Sequence, residues 1–392
     1  MYKITVIAVS NAAIEDLASF YGSFKKEYGN ILDLKVYFAY LPMKDERLEQ
    51  MGKDIESSDF VIIDLMGATA LVIEKTLASL TRCKGCILPI GNGGKEYLRL
   101  GSLNWDDFSK GGMGQKEPSK KKEVSMEAVQ KMMDVAEKAG RIVPIGKLRD
   151  IKNFIQIGKY WRNAGLEEVK NMVLLILRDY GNVKSLPKPD AAREWEDFGI
   201  FDPAGERYFD DFKDYRKRYS IAEGKPLTAV LFYGHNYPNR IKECVVDILN
   251  KLEGFSNVMP IAFNKTNITD MKRLEGILKE AAGRKPDIII NLMSFRLGAG
   301  PMGGDAEAAV ELLRDIGAPI FHPFLMTKKK EEEWLSSPSG LNPSEFLISV
   351  MLPELDGCIE TYPVGALENC GRSEELNLEL NRLRIIDERL SK

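Results

Sequence analysis

The sequence predicts an α/β protein with two doubly wound, parallel-sheet units and a helical insertion between them. Short runs of β-branched and aromatic residues alternate with helical patterns near the start of the chain and again after residue 226. Between these two stretches, helical periodicity dominates. Alternation of strand and helix is typical of a parallel sheet covered by helices on both faces, so each stretch predicts one flavodoxin- or Rossmann-like unit.

The first unit is predicted to occupy residues 1–125. Its strands are expected at Ile4–Ala8, Leu34–Tyr40, Phe60–Leu65 and Gly85–Ile90. The first intervening helix is indicated by apolar residues at helical spacing, namely Ile14, Leu17, Tyr21, Phe24 and Tyr28. Between Gly101 and Val124 the composition changes to Gly, Ser and Lys, which predicts a mobile loop.

Residues 126–225 are predicted to form a helical insertion and a connector. Helices are expected at Met126–Ala139, Leu148–Trp161 and Leu166–Tyr180. The stretch from Pro187 to Gly224 is rich in aromatic and charged residues, which predicts an irregular connector with some helix.

The second α/β unit is predicted at residues 226–335. Its strands are expected at Thr228–Tyr233, Val258–Phe263, Asp287–Leu292 and Pro319–Phe321. Its helices are expected at Arg240–Leu252, Asp270–Ala282 and Asp305–Asp315. Residues 336–392 are interpreted as a segment that links this unit to a further C-terminal body.

Composition and charge exclude several classes of protein. The chain has 392 residues, 44% of them hydrophobic, and a formal net charge of −3, so nucleic acid is not an expected partner. No run of about 18 uncharged apolar residues predicts a membrane span. Five scattered cysteines fit a reducing compartment better than a disulfide framework, and they predict a cytoplasmic protein.

Two glycine-rich motifs suggest ligand loops. Residues 298–303 match G-x-G-x-x-G, but they follow the third strand of their unit and contain Pro301, so a tight or ligand-facing turn is favoured over a dinucleotide site. Residues 91–95, GNGGK, resemble a phosphate loop without the full Walker pattern. Cys83 and Cys86 form a lone C-x-x-C, which favours buried packing over a zinc site.

Both histidines of the chain are candidate ligand-binding residues. His235 and His322 are each expected just past the carboxyl end of a parallel strand, the edge where open α/β sheets bind ligands. Asn236 and Arg240 cluster with His235, and Arg296 follows another strand, where it could pair with a carboxylate. The alternatives are a core histidine and a solvated arginine. The sequence offers no assignable catalytic residue and no metal site.

Several segments resemble the large subunit of the metal chelatases, the family that includes the magnesium chelatase H protein and cobaltochelatase CobN. The most specific is residues 331–357, EEEWLSSPSGLNPSEFLISVMLPELDG. The others, in chain order, are SSDFVIIDLMG from Ser57, LRLGSLNWDDF from Leu98, GMGQKEP from Gly112, FGIFDP from Phe198 and LFYGHNYPNR from Leu231. Within residues 331–357, Glu354 and Asp356 are expected to cap backbone amides.

The resemblance implies a protein that takes part in inserting Mg²⁺ or Co²⁺ into a tetrapyrrole. ATP and Mg²⁺ would be bound by separate AAA+ partner subunits, the tetrapyrrole would be the substrate, and this chain would hold no cofactor. The chain departs from the family at Asp202, where histidine is usual, and at Tyr233 and Gly234, where Arg-Ser precedes the histidine. The family is also much longer, so this chain is expected to contribute tetrapyrrole or partner-subunit binding as an amino-terminal portion or short paralogue.

Two alternatives belong to other classes. The first is a stand-alone small-ligand-binding protein whose two α/β lobes close over a cleft lined by His235, Arg296 and His322. The second is a stand-alone enzyme that removes a metal from a tetrapyrrole or modifies it.

Overall fold

The computed structural model describes residues 1–9, 11–40, 42–91, 93–106, 146–234, 239–264, 270–300, 303–326, 329–370 and 373–378. Within these ranges the chain forms two compact units, Met1–Glu194 and Trp195–Lys392. The predicted loop at 101–124 and the predicted helix Met126–Ala139 lie almost wholly outside the described residues. None of the described helices has the length and hydropathy needed to cross a membrane.

The first unit is built on a six-stranded sheet. The strands are β1 (Tyr2–Ala8), β2 (Leu32–Phe38), β3 (Phe60–Ile63), β4 (Cys86–Pro89), β5 (Arg99–Leu100) and β6 (Leu103–Asn104). Their order across the sheet is β2-β1-β3-β4-β5-β6. The first four are parallel and the last two are antiparallel. The parallel part therefore has the doubly wound order that the alternation of strands and helices predicts.

Helices cover both faces of the first sheet. They are α1 (Asn11–Tyr28), α2 (Asp45–Glu56), α3 (Ala70–Leu80), α4 (Lys147–Asn163) and α5 (Leu166–Asp179). One core contains Leu17 of α1 together with Tyr160 and Met172, while the other contains Met51 and Val72. Helices α4 and α5, which the sequence places in an insertion, thus pack on the first sheet. Six consecutive residues of α5, 172–177, are buried, because the helix is covered nearly all round.

The second unit has a larger, eight-stranded sheet and a short separate hairpin. The sheet strands are β7 (Phe198–Asp202), β8 (Arg207–Tyr208), β9 (Leu227–Tyr233), β10 (Asn257–Phe263), β11 (Ile288–Asn291), β14 (Ile320–Leu325), β15 (Glu360–Cys370) and β16 (Ser373–Leu378), and the hairpin strands are β12 (Ala299–Gly300) and β13 (Gly303–Gly304). The order across the sheet is β16-β15-β14-β11-β9-β10-β7-β8. Five of these strands are parallel, and in chain order they run 2-1-3-4-5. This is the flavodoxin-like order, so the prediction of two doubly wound units is confirmed.

The helices of the second unit include the three that the sequence predicts, each within two residues of its predicted bounds. They are α6 (Phe212–Arg218), α7 (Asn239–Glu253), α8 (Met271–Glu280), α9 (Ala306–Ile316) and α10 (Glu331–Ser336). A last helical segment consists of α11 (Pro343–Phe346), a π-helical turn (Leu347–Met351) and α12 (Leu352–Glu354). Asp270 and Asp305 accept hydrogen bonds from the first turns of α8 and α9, which accounts for where these helices begin.

Two parts of the second sheet differ from the sequence prediction. Strand β7, expected as irregular connector, pairs antiparallel with β10. Strand β15, expected in a linking segment, pairs parallel with β14. Gly199 in the first strand and Pro363 and Gly365 in the second weaken the strand pattern in the sequence, and only pairing within the sheet overrides them.

Candidate functional site

The strand order places a topological switch point between β9 and β11 in the second unit. The helices after these two strands lead toward opposite faces of the sheet, and this arrangement predicts a crevice at the carboxyl ends of the strands, Tyr233 and Asn291. His235 and Asn236 follow β9 in the chain but lie outside the described residues. Arg240 lies in the first turn of α7, and its side chain is likewise outside the description. The described part of the crevice is the loop after β11, residues 292–297, which we call the switch loop.

The switch loop is held by an ion pair with a buried carboxylate. Arg296 Nε donates to Asp356 Oδ1 at 2.9 Å, and the Leu297 amide donates to Asp356 Oδ2 at 2.6 Å. The Asp356 side chain is 2% exposed and that of Arg296 is 24% exposed. Burial raises the pKa of Asp356, and the hydrogen bonds from Arg296 and Leu297 oppose that shift. The expectation that Asp356 binds a backbone amide is confirmed, whereas the Glu354 side chain is exposed.

Backbone carbonyls of the π-helical turn also hold the switch loop. The Phe295 amide donates to Ile348 O at 2.7 Å, at a residue whose φ is 68°, in the left-handed region. Ser349 O faces His322 Nε2 at 2.9 Å. The nitrogen of Pro353 is the partner that Ser349 O would have in an α-helix and that Ile348 O would have in a π-helix. Because proline has no N–H, both carbonyls bind other parts of the unit.

His322 lies inside the sheet, which corrects its predicted place beyond a strand end. Strand β14 continues through Pro323 to Leu325, although a proline in this position reads as the end of a strand. The imidazole is fully buried, with Nδ1 2.6 Å from Asn291 O and Nε2 2.9 Å from Ser349 O. Burial lowers its pKa to about 4, against the opposing effect of the two carbonyls. A neutral imidazole carries one N–H, so His322 donates to one of these two carbonyls. The ring packs between β11 and the π-helical turn and does not line a cleft.

The sequence reasoning missed Tyr233 and Ser349 as residues that position the switch loop. The Tyr233 hydroxyl donates to Ser294 O at 2.5 Å, and the Ser294 and Ser349 hydroxyls are 3.2 Å apart. Both residues lie within segments that resemble the chelatase family, yet neither has a side chain that signals a site alone. The predicted residue that the structure brings to the described crevice is Arg296.

The glycine motif at residues 298–303 forms part of the short hairpin beyond the switch loop. Its described strands, β12 and β13, pair antiparallel. In a dinucleotide site the motif would lead from a strand directly into a helix. The described residues of the motif thus pair in a hairpin and do not form the strand-to-helix connection of a dinucleotide site.

The first unit has its own switch point, between β1 and β3, and a carboxylate occupies it. Asp64 follows β3, and its Oδ2 accepts a hydrogen bond from Trp161 Nε1 at 3.2 Å. Burial raises the pKa of Asp64, and the bonds from Trp161 and Met66 oppose the shift. The GNGGK loop runs beside this carboxylate, because a Cβ built on Gly91 would lie 1.9 Å from Asp64 Oδ1. A carboxylate at this distance repels phosphate, so close packing accounts for the glycine.

Replacing Gly91 by alanine is expected to lower the free energy of unfolding by about 2 kcal/mol, because the new methyl group overlaps Asp64. Gly22, inside α1, is the matched control, since a Cβ there meets no atom within 4 Å. Gly22→Ala is expected to raise the free energy of unfolding by roughly 0.5–1 kcal/mol. Urea unfolding followed by circular dichroism measures both free energies of unfolding. If Gly91→Ala does not lower the free energy of unfolding relative to the unsubstituted protein, the packing argument is contradicted.

The cysteines of the C-x-x-C motif are free thiols. Cys83 is buried, and Cys86 is half-buried at the first position of β4. Burial raises the pKa of both thiols. Within the described ranges, no group of three or more His, Cys, Asp or Glu side chains is arranged to hold a metal ion.

The two sheets define a doubly wound α/β protein, with an ordered loop at the carboxyl edge of the second sheet. A family model described as CobN/Magnesium Chelatase matches residues 158–392, more than half of the chain. The chain therefore belongs to the CobN/magnesium chelatase family, and the resemblance found in the sequence is confirmed.

Two curated relatives agree with this assignment. The chain is 27% identical over 270 residues to the H protein of magnesium chelatase from Chlorobaculum parvum, a match that covers 66% of this chain and 20% of that protein. It is 24% identical over 313 residues to the chloroplastic magnesium-chelatase protein ChlH of Oryza sativa subsp. indica, covering 74% and 22%. Among solved structures, the catalytic subunit of cobaltochelatase from Mycobacterium tuberculosis matches with a TM-score of 0.46 and 14% identity, over 98% of this chain and 26% of that one.

Proposed function

We propose that this chain binds the tetrapyrrole substrate of an ATP-dependent metal chelatase at the carboxyl edge of its second sheet. The observation that carries the proposal is the Arg296 guanidinium, which Asp356 holds at the switch point through Nε. The described contacts of this guanidinium with other side chains do not engage its two Nη groups. Arginine Nη groups in a fixed orientation suit a carboxylate, and tetrapyrrole precursors carry carboxylate side chains.

Other features of the same edge support an anionic ligand. Arg240 lies in the first turn of α7, where the helix N-terminus already favours negative charge. His235 and Asn236 belong to the same connection between β9 and α7. We assign these residues to ligand binding together with Arg296, and we assign His322 to positioning of the switch loop.

Metal insertion requires bases for two pyrrole protons and a weakly held metal ion. In this proposal the ion, Mg²⁺ or Co²⁺, is a substrate, and ATP with its own Mg²⁺ is handled by AAA+ partner subunits. The chain spans about one-fifth of the length of the curated relatives it matches. We therefore assign proton removal to the remainder of the large subunit. Because the cysteines are scattered, we also place the protein in the cytoplasm.

Titration with metal-free protoporphyrin tests the proposal directly. Binding is expected to shift and sharpen the Soret band, with a dissociation constant in the micromolar range. Arg296→Lys keeps a cation beside Asp356 but loses the second guanidinium contact, so it is expected to weaken binding about tenfold, as for a lost charge-assisted hydrogen bond. Arg284→Lys is the matched control, because Arg284 is an exposed arginine paired with Asp287 at 3.2 Å.

Two results would count against the proposal. One is an unchanged Soret band at high micromolar protoporphyrin with a chain that is folded by circular dichroism. The other is equal weakening by Arg296→Lys and Arg284→Lys, which would indicate a non-specific effect of lost guanidinium groups. Metal insertion by this chain without added subunits would contradict the assignment of proton removal to other residues.

A further inference from the structure

A second cleft lies at the opposite edge of the second sheet from β15 and β16. It has a volume of about 490 Å³ and lies between helix α8 and the hairpin of β7 and β8. This volume is within the range of roughly 300–1,000 Å³ that is typical of small-molecule sites. The floor includes Gly199, Ile200, Gly276 and Ile277. Neither the switch loop nor residues 347–356 contribute to the lining.

Two glycines in regular elements lie in the wall of this cleft. Gly276 lies in the interior of α8, and a Cβ built there meets no atom within 4 Å, so helix packing does not require glycine. Glycine at this position costs the helix about 1 kcal/mol relative to alanine. Gly199 lies inside β7, and its Cβ would be 3.2 Å from the Tyr208 ring. The close approach of Tyr208 therefore accounts for this glycine, and Gly276 is the glycine that leaves space in the cleft.

The lining of the cleft is strongly acidic. It contains four carboxylates, those of Glu196, Asp210, Asp211 and Glu280, and one guanidinium, that of Arg273, for a formal charge of −3. The whole chain also has a formal net charge of −3, so the lining of this cleft alone carries as much negative charge as the net charge of all 392 residues. Within the described residues, no cation pairs with the carboxylates of Asp210 or Glu280. Arg216 donates to the carbonyls of Glu280 and Ala281 at the C-terminal end of α8, at 3.1 and 2.7 Å, so the negative charge of the cleft comes from its side chains.

The protein's own arginines show how this surface holds a guanidinium. Arg273 lies 4.9 Å from the Phe198 ring centroid, and its Nη1 is 3.1 Å from Glu196 Oε2. Arg207 lies 5.6 Å from the centroid of Phe209, which lines the cleft. An aromatic face combined with a carboxylate is thus already used for cation binding here. Tyr208 and Phe212 offer further rings beside the acidic side chains.

We propose that this cleft binds a small organic cation with a flat apolar body, of the amidinium or guanidinium class. The flat body lies against the aromatic wall over Gly199 and Gly276, and the cation faces Asp210 and Glu280. The anionic tetrapyrrole proposed for the switch loop is excluded here by charge. The site therefore stands independently of the proposed function.

Benzamidine is a suitable probe, and calorimetric titration of the full chain measures its binding. A dissociation constant of about 1 mM is expected for a ligand of this size. Neutral benzamide is expected to bind at least tenfold more weakly, and benzoate is expected not to bind. Raising the salt concentration from 0.05 to 0.5 M weakens benzamidine binding, because the carboxylates are partly exposed. Equal binding of benzamidine and benzamide would overturn the proposed cation site.

Variants locate the binding. Gly276→Leu fills the cleft and replaces glycine with a better helix former, so benzamidine binding is expected to be lost while the chain stays folded. The double variant Asp210→Asn with Glu280→Gln is expected to weaken binding at least fivefold. Glu243→Gln on α7, outside the cleft, is the control and is expected to leave binding unchanged. Full binding by the Gly276→Leu variant would overturn the location.

Discussion

Replacing Asp356 by asparagine is expected to lower the free energy of unfolding of the second unit by about 3 kcal/mol, because it removes one partner of a buried ion pair. The asparagine carbonyl can still accept the Leu297 amide, but its NH₂ group would face the Arg296 Nε, which is also a donor. Urea unfolding measures the decrease in the free energy of unfolding. Hydrogen exchange at the Leu297 amide shows whether the switch loop is released.

Asp315→Asn is the control for the Asp356 variant. The Asp315 side chain is 56% exposed and pairs with Lys279 at 2.6 Å and with Lys285 at 3.4 Å. Exposed pairs of this kind contribute about 0–1 kcal/mol. If the Asp356 variant loses no more stability than the Asp315 variant, the switch loop does not depend on the buried pair.

Lowering the pH from 6.5 to 4 is expected to destabilise the second unit through His322. The folded-state pKa is about 4, below the ordinary value of 6.5, so the unfolded chain binds a proton more readily in this window. The contribution of the neutral imidazole is fully present above pH 6.5 and is lost as the pH falls toward 4. This difference between the folded-state and the ordinary pKa of His322 corresponds to about 3 kcal/mol in the free energy of unfolding.

Urea midpoints between pH 4 and pH 7.5 measure this effect, with His322→Gln as the non-titrating variant. Carboxylates titrate in the same window, and the difference between the two proteins removes their common contribution. If the urea midpoints of the protein and of the His322→Gln variant change equally with pH, the assignment of this pH dependence to His322 is contradicted. An independent measurement is available because the chain has two histidines, so His235→Gln leaves a single imidazole resonance. That resonance is expected to titrate near pH 4.

The predictable part of the fold is the part with strong local patterns. Strands β1, β9 and β10 and helices α5 and α7 lie within two residues of their predicted bounds, because each combines apolar periodicity with clear turn residues. Strand β15 carries Pro363 and Gly365, so its place in the sheet depends on the edge that β14 presents. The position of α4 and α5 on the first sheet likewise depends on tertiary packing.

The candidate site was predictable in its location but not in its contacts. The carboxyl edge and Arg296 follow from strand positions, since parallel strands bring their carboxyl ends together. The partner of Arg296 lies 60 residues further along the chain, and no local pattern connects the two. His322 was misplaced because a single residue, Pro323, reads as a strand end where the strand continues.

Pro353 lacks the N–H that two carbonyls of its own helical segment would otherwise bind. A helix normally satisfies its own carbonyls and offers them to nothing else. Because of Pro353, two carbonyls have no partner within the helix. Ser349 O faces the imidazole of His322, and Ile348 O accepts from the Phe295 amide. The switch loop thus depends on the conformation of residues 347–354 through the hydrogen bond from the Phe295 amide to Ile348 O. A change that straightened residues 347–354 would be felt at the loop without any contact between a ligand and the helix.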